Sequence, residues 1–219
     1  MNISKGVWER TGKDQLNKRV YALLIGVFFI WTLLMVVGGV RLSYGWGPYL
    51  IYSIFAFIGA IIGIVIYSGS DKPLTSFLGV TVLSGSLGLS IGPILAYYSS
   101  ESLIKALVMT LGVTLVMSLF GILLPNVIKG AGGILFVILS LLLVGYFAQF
   151  ILVLFGVSAY LMPLDYIAAG LFSLYIWYDW AKAISLPATV DNAIDAAGAL
   201  IVDVVNLFLA LLRIFGRRG

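Results

Sequence analysis

Seven long apolar runs dominate this chain of 219 residues. A helix of roughly 20 apolar residues is long enough to cross the hydrocarbon core of a bilayer. The apolar residues follow one another without the period-two alternation of barrel strands. The sequence therefore predicts an all-α membrane protein, a seven-transmembrane-helix bundle. The predicted spans are 20–40, 49–67, 75–98, 103–124, 132–155, 163–184 and 192–215.

Composition agrees with this fold class and narrows the chemistry. The chain is 62% hydrophobic and 10% charged, whereas soluble domains are roughly 45–50% apolar and about 25% charged. It has no Cys and no His, which excludes disulfides, thiolate nucleophiles, His metal ligands and His-based catalytic triads. A response to pH must therefore come from carboxylates or amines.

The spans divide the chain into three parts. Residues 1–19 form a basic segment, predicted to be cytoplasmic, and they precede an apolar run too long for a cleaved signal peptide. Residues 20–216 form one seven-helix membrane domain, and residues 217–219 are a short tail. The N-terminal charges are Lys5, Arg10, Lys13, Lys18 and Arg19, against Glu9 and Asp14.

The charge balance and the lean loops predict the surroundings of the protein. A net charge of +4 fits topology and lipid-surface charge better than nucleic-acid binding. We expect a prokaryotic inner (cell) membrane, the lipid bilayer as the main partner, and a monomer or weak oligomer. The sequence does not identify protein partners.

Glycines mark the expected contacts between helices. Gly59 and Gly63 are four residues apart, and so are Gly88 and Gly92. Small residues at this spacing let helices approach closely in lipid. Packing within the bundle is favoured over dimerisation, because a chain with many helices has many internal interfaces.

Two acids interrupt the last apolar runs. Asp203 lies about eleven residues into the seventh span, roughly 17 Å from its start and near the middle of a bilayer. Asp179 lies near the end of the sixth span, where an acid at the headgroup level is the alternative reading. Ionisable residues at membrane depth are costly and usually functional. We therefore expect the chemistry of the protein at these two carboxylates.

The short link between the last two spans makes them antiparallel neighbours, so Asp179 and Asp203 can meet. Two close carboxylates share protons and titrate as a unit. When deprotonated they offer hard oxygens to Ca²⁺. Because two carboxylates make only a weak metal site, the pair suits ion passage better than storage. No cofactor is expected, and Ca²⁺ and protons are the expected small partners.

Other polar residues surround this pair in the sequence. Asn206 lies one turn beyond Asp203 and can support its carboxylate. Asp191 and Asp195 fit the start of a helix dipole, and a cation-attracting mouth is the second reading. Arg213 is expected to reach the membrane surface, and Asp165 to be an acid in a first helical turn behind a Pro.

The last third of the chain resembles the Bax inhibitor-1 family. The resemblance rests on LYIWYD at 174–179 and VDVVNLFLALLRIFG at 202–216, with 24 residues between the two acids. The third span, with SFLG at 76–79 and GPI at 92–94, is similar but less specific.

The resemblance implies a seven-helix fold whose last helix is central, and a pH-sensitive Ca²⁺ leak. It implies that Asp179 and Asp203 form the di-aspartyl pH sensor. In relatives an Arg at the end of the second helix latches onto the acid of the sixth. Residues 70–73 here read SDKP, so Lys72 is the nearest candidate for that latch.

Other functions remain open. Tyr178 and Asp179 match half of the signature of an intramembrane aspartyl protease, but the Gly-x-Gly-Asp half is missing. A non-conducting interaction or regulatory protein keeps the fold without flux. A proton-coupled transporter would be expected to show broken helices in corresponding halves. We expect a protein that is not an enzyme.

Overall fold

The computed structural model describes residues 15–45, 50–157 and 162–216, and its regular elements are eight α-helices. The N-terminal charges up to Asp14, with Arg217 and Arg218, lie outside the described residues. The helices are α1 (Lys18–Ser43), α2 (Leu50–Ser68), α3 (Pro73–Leu95), α4 (Ser100–Leu123), α5 (Pro125–Ile128), α6 (Gly132–Leu154), α7 (Met162–Ala183) and α8 (Val190–Phe215).

Seven of these helices correspond to the seven predicted spans. The additional element is α5, one turn that begins at Pro125. Five helices in the described part of the chain are long and apolar enough to cross a membrane, namely α1, α3, α4, α6 and α8. The helical class is confirmed, and the count of seven crossings stays a prediction.

Exposed apolar side chains indicate that lipid surrounds these helices. On α6, Phe136 and Leu141 are about two-thirds exposed, and Leu135 and Leu142 are buried. A water-soluble protein rarely exposes continuous apolar faces of this size. The exposed face of α6 is therefore suited to lipid.

The described helices form two compact units. The first unit contains α1, α2, α3 and Lys182–Val202, and the second contains Ser99–Ala181 and Asp203–Arg218. The helix α8 thus contributes its first half to one unit and its second half to the other. Of the five candidate spans, α8 has the most buried membrane-length segment.

Glycines and serines allow close packing in the first unit. A Cβ added at Gly63 of α2 would lie 2.5 Å from the Leu83 backbone nitrogen of α3. One added at Gly88 of α3 would meet the Val36 carbonyl oxygen of α1. The predicted role of the glycine pairs in internal packing is confirmed for these contacts. A core of Tyr67, Val80, Leu83 and Ile194 lies beside them.

In the second unit, α7 packs against α6 and α8. A Cβ at Gly132 of α6 would meet the Tyr178 ring of α7, and one at Gly145 would lie 3.0 Å from Leu164. These contacts make α6 and α7 antiparallel. Ala168 and Leu171 of α7 join Ala210 of α8 in the buried core.

Candidate functional site

The carboxyl groups of Asp179 and Asp203 meet inside the second unit. Their side chains share a hydrogen bond. Asp203 is 6% exposed, and Asp179 is half-buried. Asp179 lies one turn before the end of α7, and Asp203 lies mid-helix in α8. The antiparallel course of these two segments brings the carboxyls together.

A hydrogen bond between two carboxyl groups requires that one of them carry a proton. The second oxygen of Asp203, Oδ2, is buried without a hydrogen-bond partner among the described residues. The pair can therefore hold one shared proton and still present an acceptor oxygen. An acceptor buried in this way costs free energy, which places it among sites where strain or an unseen ligand is expected.

Tyrosine rings form part of the wall beside the pair. The rings of Tyr175 and Tyr178 on α7 are 6.4 Å apart and perpendicular. Tyr175 lies close enough to interact electrostatically with both carboxyls, and Tyr178 with that of Asp179. These phenols are titratable groups of α7 that lie near the pair.

Two more polar atoms in the second unit are buried without a partner among the described residues. They are Oγ1 of Thr114 on α4 and Nε1 of Trp177 on α7. The Trp177 ring packs edge-on against Phe120 at 5.4 Å. Within the second unit, α4, α7 and the second half of α8 therefore each contribute a buried polar atom of this kind, namely those of Thr114, Trp177 and Asp203.

Asn206 lies one turn beyond Asp203 and is half-buried. Its predicted supporting role stays a prediction. The structure describes no group of three or more carboxylate, His or Cys residues that could hold a metal ion. A weak Ca²⁺ site at Asp179 and Asp203 stays a prediction.

Asp191 and Asp195 lie in the first unit and are buried. Asp191 accepts a hydrogen bond of 2.7 Å from the Ser76 hydroxyl of α3 and occupies the first turn of α8. Asp195 is fully buried and interacts electrostatically with Tyr21. The helix-start reading fits Asp191, whereas buried side chains do not form an open cation-attracting mouth.

Lys72 is the residue immediately before α3 and is exposed. Its backbone N–H donates to the Ser70 hydroxyl at 3.0 Å. Its side chain makes no capping hydrogen bond to the start of α3. Its role as a latch stays a prediction.

A second polar cluster lies in the same unit, and it was not among the predicted sites. Arg213 Nε donates to Asp165 Oδ1 at 2.6 Å, and the Tyr146 hydroxyl donates to the same oxygen at 2.8 Å. Arg213 Nη2 also donates to that hydroxyl at 2.9 Å. Arg213 is therefore part of an ion pair, and its predicted surface-reaching role does not describe it. Asp165 is in the first turn of α7, as predicted.

A signal for this cluster was present in the sequence. Asp165 precedes Asp179 by 14 residues, and Arg213 follows Asp203 by ten. In two antiparallel helices that meet at the acids, these offsets amount to about 21 Å and about 15 Å along the axes. The side chain of Arg bridges the remaining difference. Pairing Asp179 with Asp203 therefore predicts an Asp165–Arg213 pair.

Comparisons with known proteins cover nearly the whole chain. The family described as "Inhibitor of apoptosis-promoting Bax1" matches residues 13–219. The inner membrane protein YbhL of Escherichia coli K12 is 27% identical over 231 residues, covering 97% of this chain and 95% of YbhL.

Two Helicobacter pylori proteins are similar to the same extent. The relative from strain 26695 is 27% identical over 207 residues, covering 91% of this chain and 85% of its own length. The relative from strain J99 is 28% identical over 202 residues, covering 86% and 83%.

Proposed function

This chain belongs to the Bax inhibitor-1 family, and from that premise we propose that it mediates a passive, pH-sensitive Ca²⁺ leak across a membrane. The observation that carries the proposal is the hydrogen-bonded carboxyl pair of Asp179 and Asp203. Asp203 is buried and Asp179 is half-buried, in a chain that has no His to sense pH.

The pair can act as a switch because its two protonation states favour different packing. With one shared proton, the hydrogen bond holds α7 and α8 together at this level. With both carboxyls ionised, like charges in a low-dielectric setting repel each other. Loss of the proton would therefore separate the side chains and favour another packing of the helices, to the extent that the two packings differ in proton affinity.

The ionised pair also offers ligands to a cation. Carboxylate oxygens are the ligands that Ca²⁺ prefers, but a tight site needs six to eight oxygens. Two carboxylates with Asn206 nearby would bind the ion briefly. Brief binding suits conduction, because an ion that is held firmly does not leave.

The setting we propose follows from the relatives and the charges. The YbhL relative is described as an inner membrane protein, so we propose a bacterial inner membrane. The basic segment 1–19 would be cytoplasmic. We propose no enzymatic activity and a monomeric or weakly associated state.

The test is Ca²⁺ flux into dye-loaded proteoliposomes across a pH series, with the wild type beside Asp203→Asn and Asp179→Asn. Asn cannot lose a proton in this range and still donates a hydrogen bond. Each variant should therefore lose the pH-dependent step in flux and resemble the wild type at low pH throughout.

Glu101→Gln is the matched control, because Glu101 is an exposed acid paired with Lys105 at 2.6 Å. It should leave the flux curve unchanged. Flux that equals that of empty liposomes would contradict the leak, and identical curves for all variants would contradict the di-aspartyl switch. Cleavage of a membrane substrate, blocked by a transition-state analogue of aspartyl proteases, would favour the protease reading instead.

A further inference from the structure

Three buried polar atoms of the second unit accept or donate no hydrogen bond within the part of the chain that the structure describes. They are Asp203 Oδ2 on α8, Thr114 Oγ1 on α4 and Trp177 Nε1 on α7. Asp203 is 6% exposed and Thr114 is 9% exposed. Buried polar atoms of folded proteins nearly always have a partner, which is either protein or ordered water. These three atoms therefore point to a ligand that the helices share.

The helix register places Thr114 at the level of Asp203. The Ser102 hydroxyl at the start of α4 donates to the Phe215 carbonyl at the end of α8 at 3.2 Å, so these two membrane-length helices run antiparallel. Thr114 follows Ser102 by twelve residues, and Asp203 precedes Phe215 by twelve. Both are therefore roughly 18 Å from that contact along their helix axes.

The hydroxyl of Thr114 is not used by its own helix. A Thr within a helix commonly donates to the carbonyl one turn before it. Thr110 does so, with its hydroxyl 2.7 Å from the Ala106 carbonyl oxygen. Thr114 makes no such bond to Thr110, although it belongs to the same buried row of α4. Its hydroxyl is therefore directed away from the α4 backbone.

Trp177 joins α4 to the neighbourhood of the acid pair. It precedes Asp179 by two residues, and the Asp179 carboxyl shares a hydrogen bond with that of Asp203. The Trp177 ring packs against Phe120 of α4 at 5.4 Å. The indole is thus held against α4 within one turn of the pair.

The donors and acceptors of the three atoms complement one another through a water molecule. The indole N–H of Trp177 can only donate, an ionised carboxylate oxygen of Asp203 can only accept, and the Thr114 hydroxyl can do both. A metal cation fits this set poorly, because the indole N–H would face it with a positive hydrogen. A water both donates and accepts, and buried waters typically make about three hydrogen bonds.

We propose that a buried water binds between α4, α7 and α8, where it donates to Asp203 Oδ2, accepts from Trp177 Nε1 and shares a hydrogen bond with the Thr114 hydroxyl. Thr114 and Trp177 are positioning residues, since they act on the carboxyl pair through the water. Water beside Oδ2 gives the buried carboxyl a hydrogen-bonded contact through which its proton exchanges. The meaning of that exchange for gating rests on the proposed function, whereas the binding of the water does not.

The test is infrared difference spectroscopy of the purified protein in lipid, recorded between a low and a high pH in ordinary water and in water enriched in ¹⁸O. The Thr hydroxyl keeps its own oxygen, so an O–H stretching band that moves with the isotope belongs to water. The wild type should show such a band, because the water changes its hydrogen bonding when the pair ionises. A carboxyl band that titrates without any isotope-sensitive water band would overturn the proposal.

Thr114→Val keeps the shape of the side chain and removes the hydroxyl, so it should lose the water band. Thr114→Ser restores a hydroxyl and should restore the band. Thr110→Val is the matched control, because the Thr110 hydroxyl is bonded within α4, and it should keep the band. An unchanged band in Thr114→Val, or an equal loss in Thr110→Val, would overturn the proposal.

Other titratable groups of these helices respond to the same pH step. They include Tyr175, Tyr178 and Asp179 of α7, Glu101 and Lys105 of α4, and Arg213 of α8. Asp203→Asn keeps all of them and should still lose the titrating water band. A band that persists in Asp203→Asn would belong to water elsewhere and would count against the site.

A second measurement requires no titration, so it separates the water from the proposed pH switch. A crystal structure that resolves ordered waters should show one within hydrogen-bonding distance of Thr114 Oγ1 and Asp203 Oδ2, and none there in Thr114→Val. A dry contact in the wild type would overturn the proposal. If Thr114→Val does not fold, Trp177→Phe replaces it in both measurements and should move the water band, and an unchanged band would again overturn the proposal.

Discussion

At the scale of single residues, polar side chains are grouped rather than scattered. Asp179 pairs with Asp203, Asp165 with Arg213, and Asp191 bonds Ser76. The acid pair was predictable because a short link forces two helices side by side. The bond from Ser76 was not, since it depends on the rotation of α3 against α8, which a hydrophobic pattern does not fix.

The Tyr146 hydroxyl makes two hydrogen bonds in this cluster, one donated to Asp165 and one accepted from Arg213. Tyr146→Phe removes them and keeps the ring. We expect the free energy of unfolding in detergent to fall by about 1–3 kcal/mol, because two hydrogen bonds are lost and each is worth a net of roughly 0.5–1.5 kcal/mol. Tyr44→Phe, at an exposed tyrosine outside the cluster, should change nothing; equal losses in both variants would contradict this account.

Ser76 donates to a buried carboxylate at 2.7 Å. Ser76→Ala removes the donor and leaves Asp191 in place, so we expect a loss of about 1–3 kcal/mol in unfolding free energy. Ser140→Ala is the control, since its hydroxyl bonds only the Phe136 carbonyl of its own helix among the described contacts. A loss in the control as large as that at Ser76 would argue against a special role for the Asp191 contact.

At the scale of helices, the sequence predicted which segments are helical but not every boundary. Long apolar runs predict seven helices because a segment in lipid must satisfy its backbone hydrogen bonds internally, which a helix does. The one-turn helix α5, which begins at Pro125, is not among the predicted spans, because four residues are too few to form an apolar run. A Pro at the first position of a helix also starts one, since its missing N–H has no helical partner there.

Glycines of α3 test the packing of that helix. An Ala at position 88 would push its methyl group into the Val36 carbonyl oxygen, whereas position 85 has no atom within 4 Å of an added Cβ. We expect Gly88→Ala to lower the unfolding free energy by about 1–3 kcal/mol. Gly85→Ala should leave it unchanged or raise it by up to about 1 kcal/mol. The two variants are compared by denaturant titration, and equal effects would refute this contact.

At the scale of the whole chain, the number of crossings decides the topology. Five helices meet the length and hydropathy criterion, and α2 and α7 complete the predicted seven. Composition could predict the membrane class because 62% hydrophobic residues exceed what a soluble core can hide. It could not count crossings, because α7 carries several polar groups of the site.

Because the sequence has no cysteine, the number of membrane crossings can be tested by labelling introduced thiols, with no signal from native ones. Ser70→Cys and Ser99→Cys introduce single thiols before α3 and before α4. Seven crossings place position 70 on the side of the N-terminus and position 99 on the opposite side. Labelling of inverted and right-side-out vesicles with an impermeant maleimide should show that difference, and the reverse pattern would indicate that α2 does not cross.

The division of α8 between two units has a consequence for biosynthesis. The ribosome makes this helix after the other seven, and both units need it for their cores. Asp165 and Ser76 are therefore without Arg213 and Asp191 until α8 has been synthesised. Until then, insertion factors and quality-control proteases encounter two incomplete units, and the insertion of α8 completes both of them.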